Sequence, residues 1–525
     1  MALLLAACTP AAPPDVSDTE VATVFATAGD VASVVNLGAH VPAGSTLKLL
    51  NEPVSATVAA ASVSLDHARP VHEAIRLAIM QDDSVLETLV VWHAVQPAAA
   101  PAWPLSISPN RRYLVDNEGA AVFWTGGSPW GLTLVPNRDD ASLYLADRAD
   151  KKINVVLVRL IDHLFSDRNP GWLNYYREPP FSRHLDGGAL DFTSARDEYW
   201  RQVDWVLREA YRHGITVLGA ASYVGYRLGE QGWADHMIAN GEDRMRQYGE
   251  WIARRYQDYP NLVWVMGGDW STHSEGKDVA DEVDALAQGI KSIDTAHLMT
   301  AHSHRNRSAL DDYDRPWLDV NSSYGGYQTI WQRVALDYQR TPVMPTFLVE
   351  GHYGNEHGMT DRRVRAQMYQ GILGGAFGQL YGNAPQWYFS AAVADHFADE
   401  TGLDWREDLD NFGARSVPVI ASLLEEFAFE ELTPDIAHEV MTAGYGAYDE
   451  LYAPLIYSPR LAIAYLPEQR PVTIDMTKFA GDVDARWRNA ADGAEQPGGT
   501  IGNAKSANLT PPDAGDWVLI LEVQK

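Results

Sequence analysis

Short apolar stretches alternate with polar positions between about Val21 and Val95, as in "STLKLL", "ATVAAASVSL" and "SVLETLVVWHAV". A period of two with many β-branched residues predicts half-buried strands, and several in succession predict a small β-sandwich. "QPAAAPAWP" at 96–104 has no period and reads as a linker. From Leu105 the pattern changes to continuous apolar runs separated by amphipathic segments. The runs are "AVFWTG" at 121–126, "NVVLVRLI" at 154–161, "ITVLGAA" at 215–221, "LVWVMG" at 262–267, "HLMTAH" at 297–302, "WLDVN" at 317–321, "TFLVE" at 346–350 and "GQLYG" at 378–382. Between them, "DEYWRQVDWVLREAYRHG" puts Trp200, Val203, Val206, Leu207 and Ala210 on one helical face, with Gly214 as its stop. "EDRMRQYGEWIARRYQDYP" and "DRRVRAQMYQGILGG" have the same period. Such alternation predicts an α/β fold, a (β/α)8 barrel with enlarged loops. A doubly wound open sheet is the rival, but "TGGSPWG" after the first run lacks the G-x-G-x-x-G spacing of a phosphate-binding turn.

Beyond Glu431 the pattern returns to strands, "APLIYSP", "LAIAYLP", "VTIDM", "DARWRNA" and "DWVLILEV", separated by turn residues, and predicts a C-terminal β-sandwich. The expected layout is a signal and tether over 1–22, an N-terminal sandwich over 23–97, the barrel over 105–430 and the second sandwich over 431–525. The C-terminal sandwich follows the barrel through "EEFAFEELTPD", without a Gly/Ser linker, and is expected to pack rigidly. The Pro/Ala stretch at 96–104 is expected to let the N-terminal module swing.

Composition narrows the classes of partner. A hydrophobic share of 46% and a charged share of 21% suit a globular chain with a large core. A net charge of −29 argues against nucleic acid or an anionic membrane surface as a partner. The single cysteine, Cys8, ends Leu5-Ala6-Ala7-Cys8 and is followed by small and proline residues. That stretch resembles the lipobox of a bacterial lipoprotein signal, which would make Cys8 an acylated membrane anchor on an exported protein. The positively charged start of such a signal is missing, since the first basic residue is Lys48. With one cysteine no disulfide forms within the chain.

Two apolar runs end on a carboxylate. "WVMGGDW" at 264–270 delivers Asp269 after strand four, and "TFLVEGHYGNE" delivers Glu350 at the end of strand seven. Strands four and seven oppose each other in a closed barrel, so the two groups can converge across its C-terminal mouth, the working face of this fold. Opposed carboxylates, one protonated and one ionised, are what glycoside hydrolysis requires. Asp269 also fits a helix N-cap, whereas Glu350 gains nothing by capping and is costly to bury without a task.

The stretches "RYLVDNEGAAVFWTGGSPWG", "YPNLVWVMGGDW", "FLVEGHYG" and "YQGILGGAFGQLYGNAPQW" resemble the apiosidase-like hydrolases, the domain of unknown function 4038 proteins that include glycoside hydrolase family 140. The resemblance runs from about Leu105 to Phe429, and the "DWVLILE" tail resembles the sandwich usually appended to that family, often labelled collagen-binding. It implies a (β/α)8 barrel, a retaining mechanism with Asp269 as acid and Glu350 as nucleophile, no cofactor, and release of a terminal pentofuranosyl unit, apiose-like, from a complex polysaccharide. Another furanosidase, such as an arabinofuranosidase, and an inactive cell-surface glycan binder are the alternatives. Two departures stand out. Strand one reads Gly126-Gly127-Ser128-Pro129-Trp130 where the family commonly has Gly-Asp-Thr-Ala-Trp, which suggests a lost contact to a sugar hydroxyl; Gly351 and His352 follow Glu350 where a proline is common.

Further rim residues are assigned to substrate binding: Trp130 and Trp387 as stacking platforms, His302, Asn321, Tyr324 and His352, and Tyr381. Packing explains the aromatics equally well. "TAHSHRNR" places His302 and His304 at i and i+2, but no third ligand is spaced for a metal site. The aromatic loop "DHLFSDRNPGWLNYYREPPFSRHLDGG" after strand two has the length of a functional lid.

Overall fold

The computed structural model describes residues 18–53, 55–165, 168–229, 231–274 and 276–524. Cys8, and with it the lipobox-like start, lies outside the described residues. Among them, no helix is long and apolar enough to cross a membrane.

Eight parallel strands form the central barrel: Trp124–Gly127, Val155–Arg159, Thr216–Ala220, Leu262–Gly267, Met299–His302, Asn321–Tyr324, Thr346–Glu350 and Gly378–Tyr381. Each of the first four pairs with the next, strand one also pairs with strand eight, and strands six to eight continue the sheet. The seam between strands five and six is closed by single bonds: Val320 N–H to the Met299 carbonyl (3.2 Å) and Thr300 Oγ1 to the Val320 carbonyl (2.8 Å). Alternate residues of each strand enter different cores. Val155, Leu157, Leu218, Val263, Val265, Phe347, Val349 and Leu380 fill the barrel. Val156, Val158, Val217, Trp264, Met266 and Met299 pack beneath the helices. Burial on both faces is why these strands read as unbroken apolar runs.

Strand six departs from its expected place. It spans Asn321–Tyr324 rather than 317–321, because its residues are polar ("NSSY") while the apolar "WLDV" before it leads in from below. Ser322 and Ser323 satisfy their hydroxyls internally, on the Ala301 carbonyl and on Asp337, so a buried strand carries no apolar signature. The helix expected from Glu242 starts earlier, spanning Ala234–Tyr256 with a break at Gly241 (φ 66°, ψ 173°).

The N-terminal sandwich packs a sheet of Thr19–Thr27, Ser84–Gln96, Val71–Gln81 and Thr46–Leu49 on one of Ser33–Asn36, Ser62–Leu65 and Ala56–Ala59, around Val63, Leu65, Ile75, Leu77 and Leu89. Its first strand begins at Thr19, inside the stretch read as tether. Glu20, which looks like a solvated tether residue, accepts from Trp92 Nε1 (3.1 Å) and pairs with Arg208 (3.2 Å). Nor is this module joined to the barrel by the linker alone. Arg208 of the helix Asp197–Arg212 also lies 4.1 Å over the Trp92 ring, His72 Nδ1 bonds Glu209 (2.8 Å), and Trp103 Nε1 donates from the linker to Thr216 Oγ1 (3.2 Å). Side chains from both sides override the linker's composition.

In the C-terminal sandwich the last strand, Trp517–Val523, sits mid-sheet between Leu461–Leu466 and Val483–Asn489. It is fixed to the barrel helix Asp361–Leu373 as expected. Arg365 pairs bidentately with Asp516 (2.8 and 2.9 Å), and Tyr369 stacks on Tyr465 at 4.5 Å.

Candidate active site

Strand four ends in Gly267-Gly268-Asp269, and local geometry accounts for each residue. A Cβ at Gly267 (φ 74°) would lie 2.5 Å from the Tyr313 hydroxyl, and one at Gly268 (φ 134°) only 2.1 Å from the Tyr223 ring. Only glycine passes this corner. Asp269 itself holds φ 51°, a left-handed conformation that costs a residue with a side chain about 1 kcal/mol and tends to persist where function needs it.

What holds this corner is His302, at the end of strand five. Its Nδ1 accepts the Asp269 backbone N–H at 2.8 Å. That leaves the ring proton on Nε2, which donates to Glu350 Oε2 at 2.5 Å. One imidazole therefore positions both carboxylate-bearing residues. Tyr324 donates to the other Glu350 oxygen at 3.3 Å, and Arg305 bonds the Tyr324 hydroxyl. Burial first, and the Glu350 charge second, push the Asp269 carboxyl up to about 7. Such influence places the two carboxyls near one another, and it favours the protonated form of Asp269 toward neutrality.

Aromatic walls complete the mouth. Trp130 stands edge-on to His302 (5.3 Å) and Tyr223 (5.6 Å), and its Nε1 donates to Tyr353 Oη at 2.7 Å. Below them the Arg159 guanidinium lies 3.6 Å over the Tyr223 ring and pairs with Asp162 at 2.9 Å. His352 Nδ1 accepts from the Tyr327 N–H, and burial followed by the Arg305 charge lowers His352 to about 4, so it is neutral at the mouth. At Gly351, where the family commonly has a proline, a Cβ would meet Gln367 Oε1 at 2.5 Å; Gln367 clamps His352 through its backbone N–H and carbonyl.

The structure thus brings together Asp269, Glu350, His302, Tyr324, Trp130 and His352, and corrects other assignments. His302 spends both nitrogens on the protein and has none for sugar. Asn321 begins strand six instead of following it; it is fully buried, and its amide bonds the Leu310 N–H and Thr346 Oγ1. Tyr381 faces the outer layer, where Arg148 donates to its hydroxyl at 2.8 Å. Gly127 also faces outward: a Cβ there would lie nearest the Tyr144 hydroxyl and the Tyr381 ring. An aspartate at this position would therefore point toward Arg148 and not a sugar. Trp387 lies in the short helix Ala384–Tyr388 after strand eight, half-buried against Tyr353 and Tyr388.

Sequence reading missed Tyr223, Arg305 and Tyr353. Each lies within three residues of a barrel strand's C-terminal end, which is itself a usable signal. Arg305 stood in the "HSHRNR" run, where histidine spacing drew the attention. Among the described residues no group of three or more His, Cys, Asp or Glu side chains is arranged to hold a metal ion.

Residues 108–431, more than half of the chain, match the family model described as the apiosidase-like catalytic domain. The chain belongs to the apiosidase-like family. Residues 447–522 match a second model, "Putative collagen-binding domain of a collagenase". No curated protein matches. Among solved structures, one titled glycoside hydrolase is 24% identical with a TM-score of 0.68, covering 81% of this chain and 97% of its own. A family 5 glycoside hydrolase from Bacteroides vulgatus is 25% identical, also at 0.68, covering 80% and 93%. A third structure, from the same organism, shares the fold at 12% identity and a TM-score of 0.61, covering 95% of this chain and 99% of its own. This apiosidase-like chain is a glycosidase.

Proposed function

We propose that the enzyme is a retaining glycoside hydrolase that removes a terminal pentofuranosyl unit, apiose-like, from a complex polysaccharide. Asp269 gives its proton to the leaving oxygen while Glu350 attacks the anomeric carbon. Water then releases the sugar from Glu350, with Asp269 acting as base. The observation that carries this reading is the His302 bridge. Its Nε2 donates to Glu350, which Tyr324 also bonds, and its Nδ1 holds the backbone of Asp269, whose carboxyl is the proton-bearing one. The apiosidase-like family supports the glycone, and arabinofuranose is the alternative to be tested beside it. A neighbouring acid and base tied to one imidazole, with this division of charge, disfavours a purely adhesive role.

The test is the stereochemistry of the first-formed product. Proton NMR of 4-nitrophenyl β-D-apiofuranoside and α-L-arabinofuranoside digests should show the substrate's own anomer appearing first, from the apioside at the higher rate. An inverted product would remove the nucleophile role from Glu350. We further propose that the protein works outside the cytoplasm, lipid-anchored at Cys8, a reading supported by the sequence Leu5-Ala6-Ala7-Cys8. Cys8→Ser should then move the protein from the membrane to the soluble fraction.

A further inference from the structure

The acid of a glycosidase protonates the bridging oxygen, so the group that leaves must lie against whatever borders the acid. Asp269 ends the corner after strand four, and the loops after strands three, four and five each bring a ring to its side of the rim. Tyr226 lies three positions beyond Tyr223, whose ring packs on Gly268, and the Val224 N–H between them bonds the Gly267 carbonyl at 3.1 Å. Trp270 directly follows Asp269, and its carbonyl accepts the Tyr313 hydroxyl at 3.0 Å. The Trp270 ring stands 5.0 Å from Tyr226 at 76° and 4.1 Å from His304 at 90°. These three rings form an aromatic ledge that solvent reaches: Tyr226 is 43% exposed, and Trp270 and His304 are half-buried.

A lone exposed ring on a protein surface needs no explanation. Tyr226 is different, because its place is held at a cost. Arg227 (φ 56°) and Leu228 (φ 53°), the two residues after it, are both left-handed, at about 1–2 kcal/mol each. Leu228 is fully buried and anchors the turn. Lys277, from the loop after strand four, donates to the Leu228 carbonyl at 3.0 Å and pairs with Asp235 at 2.7 Å. One lysine therefore ties the turn that carries Tyr226 to the loop that carries Trp270. A Cβ at Gly225 (φ 92°) would lie 2.5 Å from the Gly232 nitrogen, so the turn also closes tightly at its base. A surface of fixed rings suits the apolar C–H face of a sugar, since little side-chain freedom is lost when the two meet. From the ledge's place beside Asp269, its exposure and its clamped turn, we infer that Tyr226 and Trp270 bind the first sugar of the leaving chain, a pyranose, by stacking against its ring. The inference rests on the proposed function, since it takes Asp269 to be the proton donor. It assigns the side of the mouth bordered by strands three to five to the polymer.

The experiment compares wild type, Tyr226→Ala, Tyr226→Phe and Glu350→Ala on the methyl and phenyl glycosides of apiofuranose and arabinofuranose, with circular dichroism to establish folding. Phenol offers a ring to stack on and methanol does not. Each variant is read as a ratio to wild type, so the difference in leaving ability cancels. Tyr226→Ala should lose about tenfold more kcat/KM on the phenyl than on the methyl glycoside. Tyr226→Phe, which keeps the ring, should stay within about threefold of wild type on the phenyl glycoside. Equal losses on the two substrates, or none, would overturn the stacking role. Activity surviving in Glu350→Ala would instead overturn the nucleophile assignment and leave the Tyr226 result to stand by itself. If wild type cleaves none of the glycosides, the proposed glycone fails, and titration calorimetry with the methyl β-D-pyranosides of xylose, glucose and galactose replaces kinetics. The one that binds wild type should bind Tyr226→Ala about tenfold more weakly, and unchanged affinity, or binding of none of the three, would also overturn the inference.

Discussion

At the end of strand seven the Glu350 carboxylate receives donors on both oxygens, from His302 and Tyr324. At the end of strand four the Asp269 carboxyl receives no hydrogen bond from another described residue, although His302 holds its backbone. The two groups share one imidazole and one mouth, yet one is solvated by the protein and the other is not. Donors lower the cost of a negative charge; burial beside that charge raises the cost of a second one. The difference shows that the roles are set by what surrounds each carboxyl, not by its being Asp or Glu. Backbone setting adds to the split, since Glu350 is itself the last residue of strand seven while Asp269 hangs from a glycine corner at φ 51°.

The comparison breaks most severely at Glu350. Glu350→Ala should lower kcat on the order of 10⁵-fold, the scale of removing a nucleophile that works as part of a unit, and on every leaving group alike. Mass spectrometry after exposure to a 2-fluoro glycoside should find no adduct on that variant and one on wild type. Asp269→Ala should cost about 10²–10⁴-fold on poor leaving groups and far less on 4-nitrophenyl glycosides, which depart without a proton. Equal losses on both substrate types would remove the acid role.

Much of this comparison was legible in the chain. Continuous apolar runs gave the barrel strands because both faces of each are buried, and the carboxylates stood out because they end such runs. Strand six was misplaced because its polar residues are satisfied by Asp337 and by backbone carbonyls, which no local period encodes. His302 was found, but its role was not, because both of its bonds are to residues distant in sequence. Tyr381 and Asn321 were assigned to the mouth from strand position alone; which face a side chain takes depends on register, and one residue's shift reverses it. The N-terminal joint was misjudged for a similar reason: Pro and Ala describe the linker, while Arg208, Trp92 and Glu20 pack the module onto the barrel.

Intermediate effects sharpen the comparison. His302→Leu should cost about 10²-fold on activated and unactivated substrates alike, because it misplaces both carboxylates at once. Tyr324→Phe removes one donor from Glu350 alone and should cost about tenfold. If His302→Leu spared activated substrates, the imidazole would be serving Asp269 only. In wild type, kcat/KM should fall as pH rises through about 7, where Asp269 gives up its proton.

The smallest effect is on stability, and it isolates Asp269 from catalysis. An aspartate ionises near 3.9 in the unfolded chain and near 7 in the fold. Between those values the folded protein binds the extra proton, so stability falls as pH rises across that window and the whole penalty is in force above it. Asparagine has nothing to ionise. Asp269→Asn should therefore match wild type in urea at about pH 4, exceed it by pH 6, and hold a constant lead above about pH 7. Glu350→Gln removes the charge that contributes to the Asp269 shift, so the lead should shrink when both substitutions are combined, and only on the alkaline side. A lead that stayed the same from acid to alkali would mean that Asp269 does not keep its proton in the fold, and the division of roles between strands four and seven would have no electrostatic basis.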